Sequence, residues 1–184
     1  MSEYRTTPIG IGKFVYANDP DTQFDKEGIF HISLELTKEE AQPEIKAINE
    51  VISKKIAEIY KAKPGTKQIK RAQLPYKEED GKIVIKFKAK FKPKAFDKKA
   101  NPLSPNIIVY KGSTMKVRYK LNPYDQSIGV GCSLYLLSFQ VDDLVEGQSE
   151  VVSPFKPIKE EERALYKDKP NVSRLPGPEV KAVY

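Results

Sequence analysis

Lys82-Ile83-Val84-Ile85-Lys86-Phe87-Lys88-Ala89-Lys90-Phe91-Lys92-Pro93-Lys94 puts a cation at nearly every second position, with Ile85, Phe87, Ala89 and Phe91 between them. Thirty residues on, Met115-Lys116-Val117-Arg118-Tyr119-Lys120-Leu121 repeats the pattern. Successive side chains of a strand point to opposite faces, so each run predicts a strand with one apolar and one cationic face. Residues 82–124 hold twelve Lys/Arg and one acid, Asp97, whereas the whole chain is only +7, so the remainder is net negative. The positive charge is concentrated in this window, and a polyanion is the first partner to consider.

Other strands follow outward from this pair. Pro8–Tyr16 reads as a first strand with Gly10 and Gly12 permitting a bend, and Asn18-Asp19-Pro20-Asp21 as a loop. Gly28–Leu36 alternates Phe30, Ile32, Leu34 and Leu36 against His31, Ser33 and Glu35. Thr37 with Glu40 makes a capping box, and Ile45, Ile48, Ile52, Ile56 and Ile59 recur at helical spacing until Lys61, Lys63, Pro64 and Gly65 end the helix. A linker through Leu74-Pro75-Tyr76 leads to the basic strands, which a Pro-rich loop and a short strand at Ile107–Tyr110 separate. The last strand spans about Ile128–Val141. This order predicts a mainly β fold: an OB-fold-like curved barrel of five to six strands with one inserted helix. Residues 1–147 form that domain. Residues 148–184 carry five of the fourteen prolines and no sustained periodicity, and are expected to be an irregular, extended or disordered tail.

Several functions lose their chemistry at this stage. The chain opens Met-Ser-Glu-Tyr-Arg without an apolar run behind it, so no secretory signal is expected, and no stretch approaches the ~20 apolar residues of a membrane span. One cysteine, Cys132, allows no intrachain disulfide and reads as buried packing; one histidine, His31, reads as a surface or contact residue. Asn18, Asp19, Asp21 and Asp25 lack the glycine and closing glutamate of a calcium loop and read as a solvated turn. No nucleophile–base pair or paired carboxylates stand out, so a non-enzymatic protein without metal or cofactor is expected.

Binding an unpaired strand requires cations along the phosphates and flat rings for the bases. The lysine stripe supplies the cations. Tyr124, beside Asn122-Pro123, is the first ring candidate, followed by Tyr110 and Phe96; Tyr16 and Phe14 rank lower. Phe87, Phe91 and Tyr119 lie on the apolar alternation and are expected in the core. The bland alternative for any single lysine is a solvated face that blunts an edge strand. Six lysines in thirteen residues with no acid between them favour polyanion binding. Two further readings stay open: a protein-interaction module docking acidic partners, and an RNA-binding factor on the same barrel, distinguished by the 2′-hydroxyl.

Three pieces of sequence carry a resemblance. They are Ile107-Ile108-Val109-Tyr110-Lys111-Gly112, Met115–Tyr124, and Ile128-Gly129-Val130-Gly131-Cys132-Ser133-Leu134-Tyr135-Leu136-Leu137. Together with Gly28–Leu34 and the basic run at 82–91, they resemble the replication single-stranded DNA-binding proteins of short-tailed bacteriophages, over roughly residues 9–146. The resemblance implies an OB-fold that coats single-stranded DNA without sequence preference during replication, recombination and repair, in the cytoplasm of the infected bacterial host. Its basic strands map onto Lys86, Lys88, Lys116, Arg118 and Lys120, and its turn aromatic onto Tyr124. Where the family has a further aromatic on the first basic strand this chain has Lys90, which with Lys92 extends the lysine stripe, and beyond Tyr124 a second aromatic is replaced by Asp125 or Gln126. It also implies replication partners, a polymerase or a helicase-primase, recruited through the C-terminal tail. Oligomeric state, monomer or dimer, stays open. The family's tail is strongly acidic with a terminal aromatic; here residues 148–184 hold seven Lys/Arg and six Asp/Glu. Tyr184 supplies the aromatic end, and Glu160-Glu161-Glu162 is the acidic cluster.

Overall fold

The structure, a computed structural model, describes residues 4–145. It contains eight strands and one helix: β1 (Tyr4–Thr6), β2 (Gly10–Asp21), β3 (Ile29–Leu36), α1 (Lys38–Ala62), β4 (Tyr76–Glu79), β5 (Lys82–Ala89), β6 (Lys94–Phe96), β7 (Thr114–Gln126) and β8 (Gly129–Asp143). The alternation behaves as strand geometry demands. Ile83, Ile85, Phe87 and Ala89 turn into the core while Lys82, Lys86 and Lys88 face solvent; on β7, Met115, Val117, Tyr119 and Leu121 are buried. Val84 is the exception on β5, buried despite its outward parity.

Sheet order is β1-β7-β2-β3-β5-β8-β6, and β7 also pairs with β8, so β7, β2, β3, β5 and β8 close a ring of five strands. All neighbours in the ring are antiparallel except β5 and β8, which meet in parallel at Lys88 and Tyr135. That ring is the OB-type barrel. Strands β1, β4 and β6 are short additions at its rims, one edge partner each. Closure between β2 and β7 is narrow, with Gly10 opposite Met115 and Ile11 opposite Thr114. Gly12 permits the approach, since a Cβ there would lie 2.9 Å from Met115 Cε; Gly10 lies as tightly on β3, where a Cβ would come 2.7 Å from the Glu35 carbonyl oxygen. On the same edge of β7, Thr7 donates its N–H to the Val117 carbonyl at 2.9 Å and its hydroxyl accepts from Val117 N–H at 3.0 Å. The Thr7 hydroxyl thus takes the acceptor's place that a backbone carbonyl holds in a regular antiparallel pair.

Helix α1 starts as its sequence requires. The Thr37 hydroxyl accepts from Glu40 N–H at 3.2 Å, and the Glu40 carboxylate accepts from Thr37 N–H at 3.0 Å. Ala41, Ala47, Ile48 and Ile52 join the barrel core. Glu44, only 4 % exposed, accepts from the Tyr119 hydroxyl and lies 3.0 Å from Arg5 Nε, so one carboxylate ties α1 to β7 and β1. Burial and this carboxylate push the Tyr119 phenol well above its ordinary range, and Glu44 holds the Arg5 guanidinium protonated. No helix among the described residues is long and apolar enough to cross a membrane.

Some expectations are corrected. The strand expected at Pro8–Tyr16 is β2, which begins at Gly10 and runs on to Asp21, absorbing the expected Asn18–Asp21 loop, and the shorter β1 precedes it. Ile107–Tyr110 is not a strand: its backbone is held instead by the Asn18 side chain, which donates to the Ile107 carbonyl at 2.9 Å and accepts from Val109 N–H at 3.0 Å. The expected linker ends in β4, joined to β5 by a tight turn at Asp80 and Gly81, both with positive φ. Asn122-Pro123 lies inside β7 opposite Ser133 and Cys132; the chain reverses at Ser127-Ile128. The barrel has the five ring strands foreseen, but eight strands in all. Tyr184, Glu160-Glu161-Glu162 and the tail expectation lie outside the described residues.

Candidate nucleic-acid interface

Register places the outward residues of different strands side by side. Tyr16 of β2 pairs with His31 of β3, His31 with Lys88 of β5, Lys88 with Tyr135 of β8, Tyr135 with Lys120 of β7, and Lys120 with Tyr4 of β1. Adjacent strands lie about 4.8 Å apart, so Tyr16, Lys88, Tyr135, Lys120 and Tyr4 form a row of rings and cations that winds around the barrel, with the buried His31 between Tyr16 and Lys88. A second row, Phe14, Ser33 and Lys86, runs on one side of it, and Arg118, opposite Ser138 and Thr6, stands on the other. The Arg118 guanidinium sits 5.8 Å from the Tyr4 ring centre, within cation–π range.

The charge on this wall is uncompensated. Among the described residues Lys86, Lys88, Lys116, Arg118 and Lys120 form no ion pair, whereas Lys13 is 2.9 Å and Lys77 3.4 Å from Glu79, and Lys82 is 3.1 Å from Glu35. Partial burial, then the charge of Lys88, pulls the Lys86 ammonium below its ordinary pKa, while the nearby Asp21 opposes the shift.

His31 is not the surface residue expected. It is 7 % exposed, with Nε2 3.1 Å from Asp21 Oδ2 and its ring 4.6 Å from that of Tyr16. Burial lowers its pKa, Lys86 and Lys88 add to that effect, and Asp21 opposes it; Asp21 itself is lowered by the Gln23 backbone N–H and by His31. The neutral imidazole therefore props the exposed Tyr16 ring from below.

The remaining predicted residues are scattered. Tyr124 is half-buried near the end of β7 and lies flat across Gly131 of β8, where a Cβ would come within 2.6 Å of its hydroxyl. Lys90 follows a bend at the end of β5, and exposed Lys92 stands at the rim of a cleft that half-buried Phe96 helps to wall. Tyr110 is exposed on its loop, away from any strand.

The sequence reading missed others. Phe91, expected in the core, is 77 % exposed because the bend at Lys90 resets the alternation; Phe24, in the β2–β3 loop, is 91 % exposed. Tyr135 joins the row by register alone. Exposed Lys70 and Arg71 lie along β8 near Tyr124, held by Val130 N–H donating to the Lys70 carbonyl at 2.9 Å and Ala72 N–H to the Val130 carbonyl at 2.9 Å. Tyr16 and Phe14, ranked low, stand in the two rows. Cys132 is buried, its thiol pKa raised by burial. Among the described residues no group of three or more His, Cys, Asp or Glu is placed to hold a metal ion.

No protein-family model and no curated protein sequence matches the chain. Solved structures do share its fold. The crystal structure of gp2.5, a single-stranded DNA binding protein encoded by bacteriophage T7, superposes with a TM-score of 0.67 at 22% identity, covering 83% of this chain and 98% of that one. The single-stranded DNA-binding protein from bacteriophage Enc34 in complex with ssDNA matches at TM-score 0.58 and 18% identity, over 79% of this chain and 89% of that one. A second structure of the single-stranded DNA-binding protein from bacteriophage Enc34 matches at TM-score 0.57 and 20% identity, over 80% of this chain and 86% of that one.

Proposed function

We propose that the chain is a non-enzymatic, sequence-nonspecific single-stranded DNA-binding protein that coats and protects unwound DNA during phage replication, recombination and repair. The observation that carries this reading is the register row: Tyr16, Lys88, Tyr135, Lys120 and Tyr4 alternate ring and cation across the barrel, with Lys86, Arg118 and Lys116 unpaired beside them. Rings spaced between cations match what an unpaired strand offers and what a duplex, with its bases already stacked, does not. Stacking accepts any base, which gives affinity without sequence preference. Selective binding of the unpaired state melts hairpins by mass action without ATP. The shared fold with phage proteins whose names state single-stranded DNA binding supports the same reading, as does the Enc34 complex with ssDNA.

In this reading residues 1–147 are the binding domain, residues 148–184 recruit a replication polymerase or helicase-primase, and the protein works in the host cytoplasm. The test is fluorescence anisotropy of a labelled ~30-nucleotide oligo-dT against matched duplex and RNA across a salt series. Tight, salt-sensitive binding with the DNA single strand preferred is expected. Equal binding to every polyanion reduces the row to a nonspecific patch, and no binding overturns the proposal.

A further inference from the structure

A cleft of about 480 Å³ opens beyond the row, between the end of β2, residues 92–96 and the loop 102–109. Its floor is the buried Ala17, Val109 and Phe139; Phe96 and Leu103 form half-exposed walls, and Ser104 stands at the mouth. The cleft is pre-formed. Asn18 clamps the loop at Ile107 and Val109, Leu103 N–H donates to the Ala95 carbonyl at 2.9 Å, and Phe96 bridges to Pro102. Asp97, at the turn below, accepts from the N–H groups of Lys99 and Asn101 at 2.9 Å each. Prolines 93, 102 and 105 stiffen the walls.

The charge around the cleft selects its occupant. Lys92 and Lys94 line it, and no acidic residue does. It is also continuous with the proposed binding face: Asn18 stands two residues along β2 from Tyr16, and Lys92 four residues on from Lys88. An occupant with a flat apolar body, an anionic group and a connection to the row is one nucleotide of the same strand.

We infer that this cleft is a subsite for a single unstacked nucleotide of the bound DNA, its base against Phe96 and its phosphate on Lys92 and Lys94. This rests on the single-stranded DNA reading and adds an inserted base to those stacked on the open wall. Asn18 spends one amide N–H and one oxygen lone pair on the loop backbone, which fixes its side chain against the loop, and stacking on Phe96 accepts any base, so the subsite takes any base.

The experiment uses the full chain with (dT)30 and with the same oligonucleotide carrying 5-iododeoxyuridine for photocrosslinking and peptide mapping. The expected result is an adduct on Phe96. Ser104→Trp, which fills the mouth, should weaken binding about tenfold with an unchanged salt slope, the worth of about one stacked base. Lys92→Ala/Lys94→Ala, which removes the one phosphate contact, should flatten the slope by about 0.7. The losses should be equal for (dT)30 and (dA)30. If wild type binds (dT)30 tightly, the adducts avoid Phe96, and both variants bind as wild type, the subsite is overturned while the parent reading stands. If wild type binds no oligonucleotide, both fall.

Discussion

Removing three charges from two different places on this protein should have two different consequences. Lys86, Lys88 and Lys120 face outward and form no ion pair among the described residues, and Lys88 and Lys120 flank Tyr135 in the row. Lys13, Lys77 and Lys82 are equally basic but are paired with Glu79 and Glu35 at 2.9, 3.4 and 3.1 Å. A cation that neutralises a phosphate of a single strand releases about 0.7 counter-ion, so losing three such contacts flattens the plot of log affinity against log salt by about 2.1. Over a fourfold rise in salt, that is a change of roughly twentyfold in salt sensitivity. The triple variant Lys86→Ala/Lys88→Ala/Lys120→Ala should show this by anisotropy on oligo-dT. Lys13→Ala/Lys77→Ala/Lys82→Ala, which lowers net charge by the same amount, should leave the slope within about half a unit of wild type, since those lysines already have anions. Equal flattening in both would mean that net charge alone governs binding. An unchanged slope in the first would remove the row from the interface.

Three further outcomes follow from particular contacts. Gly131→Ala would set a Cβ 2.6 Å from the Tyr124 hydroxyl and 2.8 Å from Cζ, swinging the ring away; binding should weaken by about 1–3 kcal/mol with an unaltered salt slope, and wild-type affinity in a normally folded variant would take Tyr124 out of the site. Glu44→Ala leaves the buried Tyr119 hydroxyl without its acceptor; urea unfolding should report a loss of about 2–4 kcal/mol, and a loss under half a kilocalorie would deny the carboxylate its structural role. His31 has a lowered folded pKa, so the unfolded chain binds the extra proton. Its contribution to stability is complete above about pH 6.5 and is lost as pH falls below that toward the folded value. Against His31→Gln, which cannot titrate, wild type should lose stability between pH 7 and 5; parallel curves would contradict the buried neutral ring.

The sequence carries those parts of the fold in which a residue's neighbours along the chain decide its environment. Phe87 and Tyr119 are buried and Lys86 and Lys88 exposed because alternation needs only one strand's pleat. The capping box at Thr37 is equally local. Phe91 shows the limit: the alternation was carried two residues past Ala89, through a bend that has no fixed phase. β1 and β4 have three and four residues, too few to show a period, and are strands because β7 and β5 offer them an edge. The segment 107–110 looks like a strand by composition and is denied one by Asn18, whose side chain takes the place of a partner's backbone. The proposed binding row is least legible of all. Which cation stands beside which ring depends on register between strands distant in sequence, and Tyr135 enters only through Lys88 and Lys120.

That distance has a consequence in time. Tyr4 meets Lys120, Thr7 meets Val117, and Lys88 meets Tyr135, so the wall is stitched from both ends of the domain. Contacts so far apart in sequence carry a large loop-closure cost and make for slow assembly. A growing chain on the ribosome holds the lysines of β5 long before β8 exists to set Tyr135 beside them. Nascent protein thus passes through a stage that is strongly basic yet has no finished row, and the completed interface arrives together with the closed barrel.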